Sequence, residues 1–178
     1  MSAEQSVRNY GKEWVSGLSK EEKASIHAYT STAYANINGV LRGMEKDFEP
    51  GNREHASNIH RVLSQASIPN DCVVYRGTSG SALGIKRFLP DSMLVGHSIQ
   101  DSGFMSTSLD PRDAFHKEIL LEIEVPKGAP GAYVGDISAA GHYESEVLFD
   151  KDLDMVIISV RRDENGRRII RTRMRGNW

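Results

Sequence analysis

The sequence predicts an α+β fold, with an N-terminal helical block packed on a two-sheet, antiparallel or mixed β-sandwich core. Apolar residues recur at spacings of three and four up to residue 66, and from residue 71 short runs alternate between apolar and polar residues. Helices followed by strands are typical of α+β folds, in which the helices gather on one side of the sheet. At 178 residues we expect one domain, 1–178, with a helical part at 1–66 and a mainly β part at 71–178.

The first part is predicted to contain three helices. Their apolar stripes run over Val7–Leu18, Ile26–Leu41 and Ile59–Ala66, and the second helix is expected over about residues 19–43. Ser19-Lys20-Glu21-Glu22 has the pattern of a capping box, which opens the second helix. Gly43 is expected to end that helix, and Pro69 lies just beyond the third.

The second part is predicted to be mainly β. The predicted strands are Cys72–Arg76, Phe104–Leu109, Glu118–Val125, Gly131–Val134, Tyr143–Phe149, Met155–Val160 and Arg168–Met174. A short helix is expected over Ala82–Phe88, and a helical turn that begins at Asp110-Pro111. Asn165-Gly166 indicates a hairpin turn between the last two strands.

Composition excludes several classes of function. A hydrophobic content of 39% and a net charge of −2 give no global positive field for nucleic acid or an anionic membrane. Cys72 is the only cysteine, so an intramolecular disulfide and a cysteine-rich zinc site are excluded. The histidines are scattered without metal-ligand spacing, and we expect no metal. No classical signal peptide or membrane span is expected.

Two carboxylates, Glu144 and Glu146, lie two residues apart in the strand predicted over Tyr143–Phe149. In a strand these side chains share a face, where like charges repel each other and resist desolvation. Charge that protects an edge strand from aggregation is the simplest explanation of such a pair taken alone. A ligand site that needs two carboxylates side by side is the functional alternative.

Arg76 ends an apolar strand and precedes Gly77-Thr78-Ser79-Gly80. A fixed cation beside a small-residue loop with accessible backbone N–H groups suits a pyrophosphate. An arginine that merely ends a strand is the structural alternative.

The segment Phe104–Leu109 carries hydroxyls where core residues are expected. Ser106 and Ser108 share a strand face with Phe104, and hydroxyls in that position can orient a carboxylate. A strand edge built from residues of good β propensity is the alternative reading.

Seven arginines are concentrated near the C terminus: Arg161, Arg162, Arg167, Arg168, Arg171, Arg173 and Arg175. They form either a stripe that tracks phosphates or a solvated hairpin balanced by acidic residues elsewhere. No aromatic residue is interleaved among them for base stacking, which favours the hairpin. Nucleic acid is therefore not the expected partner.

Three of these segments occur in an order and spacing that resemble the mono-ADP-ribosyltransferases of the Arg–Ser–Glu group. They are Tyr75-Arg76-Gly77, Phe104-Met105-Ser106-Thr107-Ser108 and Glu144-Ser145-Glu146. The helix before the sheet in the actin- and Rho-modifying bacterial exotoxins and effectors is similar to Tyr29-Thr30, Tyr34, Ile37-Asn38 and Leu41-Arg42-Gly43. The similarity covers about residues 20–160. It implies the ADP-ribosyltransferase fold and a glycosyltransferase with NAD as co-substrate.

The resemblance also implies roles for individual residues. Glu146 would hold a ribose hydroxyl and stabilise the positive charge that develops as the nicotinamide–ribose bond breaks. Ser106 would hold Glu146 in place, and Arg76 would bind the NAD phosphates. The further residues implied in NAD binding are Arg42, Gly77, Asn38, Phe104 (as a wall of the nicotinamide pocket), Thr107 and Ser108.

Glu144 is implied to select the acceptor, because glutamate at this position of the family goes with arginine. A guanidinium keeps its proton at neutral pH, since its pKa exceeds about 12. A carboxylate can orient it and accept the proton during attack, whereas glutamine can only orient it. The segment 135–143 would recognise the acceptor, with Tyr143 as the aromatic residue nearest the carboxylates.

The implied function is arginine-specific protein mono-ADP-ribosylation by a toxin or effector. NAD glycohydrolysis, ADP-ribosylation of nucleic acid and non-catalytic NAD binding are the alternatives. The expected partner is a protein with an exposed arginine, such as actin or a small GTPase, and an inhibitory immunity protein is a further candidate. The chain is expected to be secreted or translocated and to act in the cytosol of a target cell.

Overall fold

The computed structural model describes residues 1–86, 89–139 and 145–178. The helices are α1 (Ala3–Ser16), α2 (Lys20–Ala28), α3 (Tyr34–Leu41) and α4 (Asn52–Leu63), with a π-helical turn over Tyr29–Ala33 between α2 and α3. The strands are β1 (Cys72–Thr78), β2 (Ser98–Asp101), β3 (Met105–Ser108), β4 (Ile119–Val125), β5 (Gly131–Tyr133), β6 (Glu146–Phe149), β7 (Leu153–Arg162) and β8 (Arg168–Arg175). Short 3₁₀ helices cover Asp91–Met93 and Pro111–Asp113. Helices precede strands, so the predicted α+β class is confirmed.

The predicted capping box at the start of α2 is confirmed, but the single helix expected over 19–43 is interrupted. Ser19 accepts a hydrogen bond from the backbone of Glu22, whose side chain accepts one from the backbone of Ser19. Farther along, the Thr30 hydroxyl donates to the carbonyl of Ile26 at 3.0 Å and competes for a helical acceptor. The backbone hydrogen bonds there change to the five-residue spacing of a π-helix. The N–H of Tyr34 accordingly donates to the carbonyl of Tyr29.

The strands form one hydrogen-bonded series in the order β2-β7-β8-β4-β1-β3-β6-β5. β4 and β8 are parallel and the other pairs are antiparallel, so the sheet is mixed. A single residue pair, Tyr75 opposite Ser108, joins β1 to β3. This narrow join separates a five-stranded section, β2-β7-β8-β4-β1, from a three-stranded section, β3-β6-β5.

Two hydrophobic clusters lie on opposite faces of β6. Val147 and Phe149 belong to one cluster, which also contains residues of the five-stranded section such as Val74. Leu148 belongs to the other cluster, with Ile26 and further residues of the helices. Because side chains alternate along a strand, Glu146 begins β6 on the face of Leu148, toward the helical block.

Several predicted boundaries differ from the structure. The helix expected over Ala82–Phe88 is wrong for the residues described: residues 80–84 form turns in which Gly84 has φ 69°, and 87–88 lie outside the described ranges. β2 was not predicted, because Ile99 is its only buried apolar residue. The strand expected over Tyr143–Phe149 begins only at Glu146, since the preceding serine has φ 47°.

The hairpin predicted at Asn165-Gly166 is confirmed. The N–H of Asp163 donates to the carbonyl of Arg167 at 3.0 Å, and the Asp163 carboxylate accepts from two backbone N–H groups of the turn. The turn joins β7 to β8, the two longest strands. Among the described residues, no helix is both long and apolar enough to cross a membrane.

Candidate active site

A cleft of about 550 Å³ lies between the helical half and the β half. Its helical side comes largely from the π-helical turn and α3, and its other side from β1, β3, β6 and the segment after the 3₁₀ helix Pro111–Asp113. The lining residues are Tyr29, Thr30, Ser31, Tyr34, Ala35, Asn38, Arg42, Tyr75, Arg76, Gly77, Thr78, Ser79, Ala82, Ser106, Thr107, Ser108, Asp113, Ala114, Phe115, Lys117 and Glu146. Arg76, Ser106 and Glu146, far apart in the sequence, therefore meet in one cleft.

Glu146 is 2% exposed, and both oxygens of its carboxylate are held by serine hydroxyls. Ser106 Oγ donates to Oε2 at 2.7 Å, and Ser138 Oγ donates to Oε1 at 2.8 Å. A buried carboxylate requires such donors, because desolvation without compensation would cost several kcal/mol. The side chain is thus fixed by hydrogen bonds from two different segments of the chain.

Ser138 was not predicted as a site residue. It lies in a turn in which its own N–H and that of Ile137 both donate to the carbonyl of Val134, at 2.8 and 3.0 Å. A single serine in a loop carries no periodic or motif signal, so its position near Glu146 is visible only in three dimensions.

Arg76 connects β1 to the backbone of β3. Its Nη1 donates to the carbonyl of Ser106 at 2.9 Å, which links the predicted cation to the strand that carries the predicted serine. Burial lowers the pKa of the Arg76 guanidinium. The pairing of Tyr75 with Ser108 sets the two strands in the register that allows this contact.

Arg42 also lines the cleft, and it is held by Asp101. Its Nε and Nη2 donate to the two carboxylate oxygens of Asp101 at 2.8 and 2.9 Å. The backbone at residue 103 can approach the side chains of Asn38 and Arg42 closely because this residue is glycine. A Cβ at Gly103 would lie 2.8 Å from Asn38 Oδ1 and 2.9 Å from Arg42 Nε. Asp101, at the end of β2, therefore orients Arg42 beside the cleft.

Phe104 lies behind the cleft rather than forming one of its walls. Its side chain is fully buried among the helices and its ring packs edge-on against Tyr29, with 5.7 Å between centroids. Asn38 fixes it there, because its amide oxygen accepts from the Phe104 N–H and its nitrogen donates to the Phe104 carbonyl. Asn38 also donates to the Tyr29 hydroxyl at 2.9 Å, and burial raises the pKa of that hydroxyl to about 12. The buried aromatic ring that lines the cleft is that of Tyr29.

Gly77 lines the cleft, and it also allows a close approach of two backbone segments. It still pairs with β4, and a Cβ on it would collide with the carbonyl of Phe115. Farther along the expected anion loop, the N–H of Gly80 donates to the carboxylate of Glu118. That amide is therefore engaged, and the glycine at 77 serves the close approach of the segment that carries Phe115.

The segment 114–118 has a second attachment. Arg167, in the turn between β7 and β8, donates to the carbonyls of Lys117 at 2.8 Å and Phe115 at 3.4 Å. The Phe115 side chain is 63% exposed and lines the cleft. This segment has no periodicity or motif that would have predicted its place at the cleft. Its position depends on contacts with Gly77 and Arg167.

Thr107 and Ser108 lie in the strand that faces β6. The Thr107 hydroxyl donates to the carbonyl of Val147 at 2.8 Å, and Ser108 is opposite Glu146 in the sheet. Tyr143 and Glu144 lie outside the described residues. The period-two argument that placed Glu144 beside Glu146 does not extend through Ser145, because φ 47° is not extended backbone.

Over residues 1–86, 89–139 and 145–178, no group of three or more histidine, cysteine, aspartate or glutamate side chains has an arrangement that could hold a metal ion. Cys72 is half-buried, and burial raises the pKa of its thiol to about 12. This cysteine therefore has little thiolate character at neutral pH.

Comparison with known proteins identifies the family to which this chain belongs. The family model described as ADP-ribosyltransferase exoenzyme matches residues 5–175. Among curated relatives, Photox toxin of Photorhabdus laumondii is 26% identical over 84% of this chain and 41% of its own length. NAD(+)–arginine ADP-ribosyltransferase EFV of Enterococcus faecalis is 28% identical over 81% of this chain and 30% of its own length. The chain thus spans less than half of either relative.

The fold also matches solved structures along nearly its whole length. Plx2a, an ADP-ribosyltransferase toxin from Paenibacillus larvae, superposes with a TM-score of 0.84 and 25% identity, over 98% of this chain and 95% of that one. The predicted resemblance is confirmed by the match of the family model to almost the entire chain. This chain belongs to the ADP-ribosyltransferase exoenzyme family.

Proposed function

We propose that this chain transfers ADP-ribose from NAD to an arginine side chain of a protein and releases nicotinamide. The observation that carries the proposal is the Glu146 carboxylate, buried and held by Ser106 and Ser138 in a cleft that also contains Arg76 and Arg42. Membership of the ADP-ribosyltransferase exoenzyme family supports the reaction class. The relative from Enterococcus faecalis is named as an NAD(+)–arginine ADP-ribosyltransferase, which supports arginine as the acceptor.

The cleft has properties that suit NAD as co-substrate. Its volume of about 550 Å³ lies in the range of sites for ligands of this size. Arg76 and Arg42 are cations for the pyrophosphate, and an arginine fork matches phosphate oxygens in geometry. Tyr34 and Phe115 are large exposed aromatic residues at the cleft, and their rings offer surfaces for stacking on the planar groups of the dinucleotide.

Glu146 acts on the donor in this proposal. As the bond between nicotinamide and ribose lengthens, positive charge develops on the ribose, and a carboxylate fixed nearby stabilises that charge more than it stabilises the ground state. The hydrogen bonds from Ser106 and Ser138 keep the carboxylate from rotating away. A carboxylate oxygen accepts hydrogen bonds, which is the contact that a ribose hydroxyl of NAD would make with Glu146.

Glu144 acts on the acceptor. A guanidinium nitrogen forms a bond to the anomeric carbon of the ribose as the bond to nicotinamide breaks, and nicotinamide leaves with the bonding electrons. The attacking nitrogen must lose one proton, which Glu144 accepts. Tyr143 contributes to recognition of the acceptor. These two roles rest on the resemblance of Glu144-Ser145-Glu146 to the family motif, because both residues lie outside the described ranges.

The partner is proposed to be a protein with an accessible arginine, for which actin and small GTPases are the first candidates to test. Photox and Plx2a are named as toxins, which supports secretion or translocation of the protein and action in the cytosol of a target cell. An inhibitory immunity protein remains a candidate partner. The C-terminal arginines give no support to a nucleic-acid acceptor, because Arg161, Arg171, Arg173 and Arg175 pair with carboxylates of the same sheet.

Labelled NAD and two kinds of acceptor test the proposal. Wild-type protein is expected to label proteins in a target-cell lysate and a small guanidine such as agmatine. Glu146→Gln is expected to lower both transfer and NAD hydrolysis at least 1,000-fold, an order-of-magnitude expectation for loss of electrostatic stabilisation. Glu144→Gln should abolish transfer to arginine and retain much of the hydrolysis. Glu164→Gln, at an exposed position of the β7–β8 turn, is the matched control.

Three outcomes would contradict the proposal. Free ADP-ribose without labelled macromolecules would identify an NAD glycohydrolase. Label that survives protease but not nuclease would identify a nucleic-acid acceptor. Full transfer by Glu144→Gln would remove this residue from its assigned role.

A further inference from the structure

Ser145, the residue between the two glutamates, has an uncommon backbone conformation. Its φ is 47°, and among the described residues only Asp152 is another non-glycine residue with positive φ. Serine in this left-handed region costs roughly 1 kcal/mol relative to an extended or helical conformation. Ser145 is nonetheless 4% exposed and immediately precedes Glu146. Such a conformation persists only where surrounding contacts determine it.

The hydroxyl of Ser145 supplies two of these contacts. It donates to Asp113 Oδ2 at 2.7 Å and accepts from Arg8 Nη2 at 3.1 Å. One hydroxyl thus connects a carboxylate and a guanidinium that are far apart in the sequence. The carbonyl of Ser145 adds a third contact, since it accepts from the N–H of Leu109 at 3.1 Å.

Each partner of Ser145 is fixed elsewhere. Arg8, on α1, also pairs with Glu4 at 3.1 Å, and its guanidinium lies 5.1 Å from the centroid of the Tyr133 ring, in β5. Asp113 ends the 3₁₀ helix after β3 and lines the cleft together with Phe115. The contact at Ser145 therefore joins the N-terminal helix, the cleft-lining segment and the start of the strand that carries Glu146.

We propose that Ser145 is a positioning residue for the reaction, and that Arg8 and Asp113 act through it. The hydroxyl holds the left-handed turn in which β6 begins, and this turn sets the direction from which the Glu146 side chain enters the cleft. It also keeps the segment Asp113–Phe115 against the same turn. Two parts of the β side of the cleft, Glu146 and the segment that carries Phe115, are thereby held in a fixed relation. This inference rests on the proposed function and adds a residue that acts on geometry.

Charge explains why a hydroxyl is required at this point. Ser145 can donate to the carboxylate and accept from the guanidinium at once, so it satisfies both groups without net charge. Without the hydroxyl, Arg8 and Asp113 still attract each other, and water or direct pairing replaces the lost bonds. The expected consequence is a displaced turn in a folded protein. A displacement of about 1 Å at a reacting group can lower a rate 100-fold.

Three substitutions at residue 145 separate the hydroxyl from the backbone conformation. Ser145→Ala removes the hydroxyl and keeps the conformational cost. Ser145→Gly removes the hydroxyl and relieves the cost, because glycine adopts positive φ freely. Ser145→Asn restores both a donor and an acceptor on a residue that tolerates this region. We expect kcat for transfer to fall about 10- to 100-fold in the alanine and glycine variants and to recover to within about threefold in the asparagine variant.

Amide hydrogen exchange gives a readout that does not depend on activity. The N–H of Leu109 donates to the Ser145 carbonyl, and the N–H of Val134 donates to the Glu146 carbonyl. Protection of these two amides is expected to fall about tenfold in Ser145→Ala and Ser145→Gly and to recover in Ser145→Asn, as local opening becomes easier. Arg8→Gln, which leaves residue 145 unchanged, should shift both readouts in the same direction by about threefold.

The possible outcomes distinguish a failure of the role proposed for Ser145 from a failure of the proposed transferase activity. Wild-type activity and wild-type protection in Ser145→Gly would show that conformation alone matters and would overturn the role of the hydroxyl. A loss of activity that follows melting temperature across the three variants, without rescue by asparagine, would reduce Ser145 to a structural residue. An inactive wild-type protein would contradict the proposed function, and the exchange pattern would still decide whether Ser145 holds the turn.

Discussion

Ser106 Oγ donates to Oε2 of Glu146 at 2.7 Å although the two residues are 40 positions apart in the chain. β3 and β6 make this contact possible, because their pairing sets Ser106 opposite Leu148, two residues beyond Glu146 on the same face. The second oxygen is held by Ser138 from the loop after β5. The carboxylate is therefore oriented both by a strand and by a loop.

Loss of either serine is expected to reduce the reaction rate. Ser106→Ala and Ser138→Ala should each lower kcat about tenfold, and the double variant at least about 100-fold, because a hydrogen bond to a charged group contributes roughly 1.5–3 kcal/mol. Single-turnover transfer to agmatine at saturating NAD measures the effect. Ser64→Ala is the control, since its exposed hydroxyl bonds only to the carbonyl of Arg61 among the contacts described. A wild-type rate in Ser138→Ala would show that Ser138 is not needed to orient Glu146.

The two arginines of the cleft should affect different quantities. Arg42→Gln is expected to raise KM for NAD about tenfold with little change in kcat. Arg42 is partly exposed, and within the described residues its side chain is held by Asp101 and the Phe104 carbonyl. Arg76→Gln should also lower the melting temperature, since it removes the donor to the Ser106 carbonyl. Steady-state kinetics at two salt concentrations measures both, and the Arg42 effect should shrink as salt rises. Equal effects of both variants on stability would contradict this division.

The contacts between Arg167 and the segment 114–118 can be tested by a substitution outside the cleft. Arg167→Gln is expected to raise KM for NAD about three- to tenfold, because the Lys117 and Phe115 carbonyls lose their donor and Phe115 becomes less fixed. Arg175→Gln is the matched control, since it removes an arginine of β8 that pairs with Asp154 away from the cleft. If both variants change KM equally, the effect belongs to net charge rather than to the position of Phe115.

The arginine and carboxylate pairs on the sheet predict a loss of stability in acid. Hydrogen bonds from Arg161 lower the pKa of Glu122. Because the pKa is lower in the folded state, the ionised carboxylate stabilises the fold above the unfolded-state pKa of about 4.3, and this contribution is lost as pH falls through the folded-state value. Glu122→Gln should lower the free energy of unfolding at pH 7 by up to about 1 kcal/mol, with a difference that vanishes in acid.

Urea unfolding at neutral and acidic pH measures this difference, and Glu164→Gln is the control with an exposed carboxylate in the turn. A difference between Glu122→Gln and wild type that persists unchanged in acid would show that the carboxylate contributes by packing rather than by charge.

The sequence predicted the strands that carry Arg76, Ser106 and Glu146, because each lies in or beside a short run with strand periodicity. The structure brings these three residues into one cleft. Loops were less accessible to prediction. Ser138 and Phe115 reach the cleft through turns that have no periodicity, and the left-handed conformation of Ser145 leaves no trace in a serine side chain. Whether Glu144 shares the face of Glu146 stays a prediction.

The predicted boundaries of a helix were wrong where a side chain competes with the backbone for a hydrogen-bond acceptor. The helix over 19–43 had a continuous apolar stripe, but the Thr30 hydroxyl takes the carbonyl of Ile26 and the helix widens over Tyr29–Ala33. The anion loop expected at Gly77 stays a prediction, because the glycine has a second explanation. Glycine indicates conformational freedom or close approach equally well, and here a neighbouring carbonyl requires the close approach.

The π-helical turn over Tyr29–Ala33 determines how this half of the protein tolerates changes in length. An α-helix turns by about 100° per residue, so deletion of one residue there would restore regular α-helical bonding but rotate α2 by that angle relative to α3. Ile26 would then leave the hydrophobic cluster while Asn38 kept its place at the cleft. Loss of a single codon at this turn would thus be more damaging than most substitutions within it, although the resulting helix would be locally more regular.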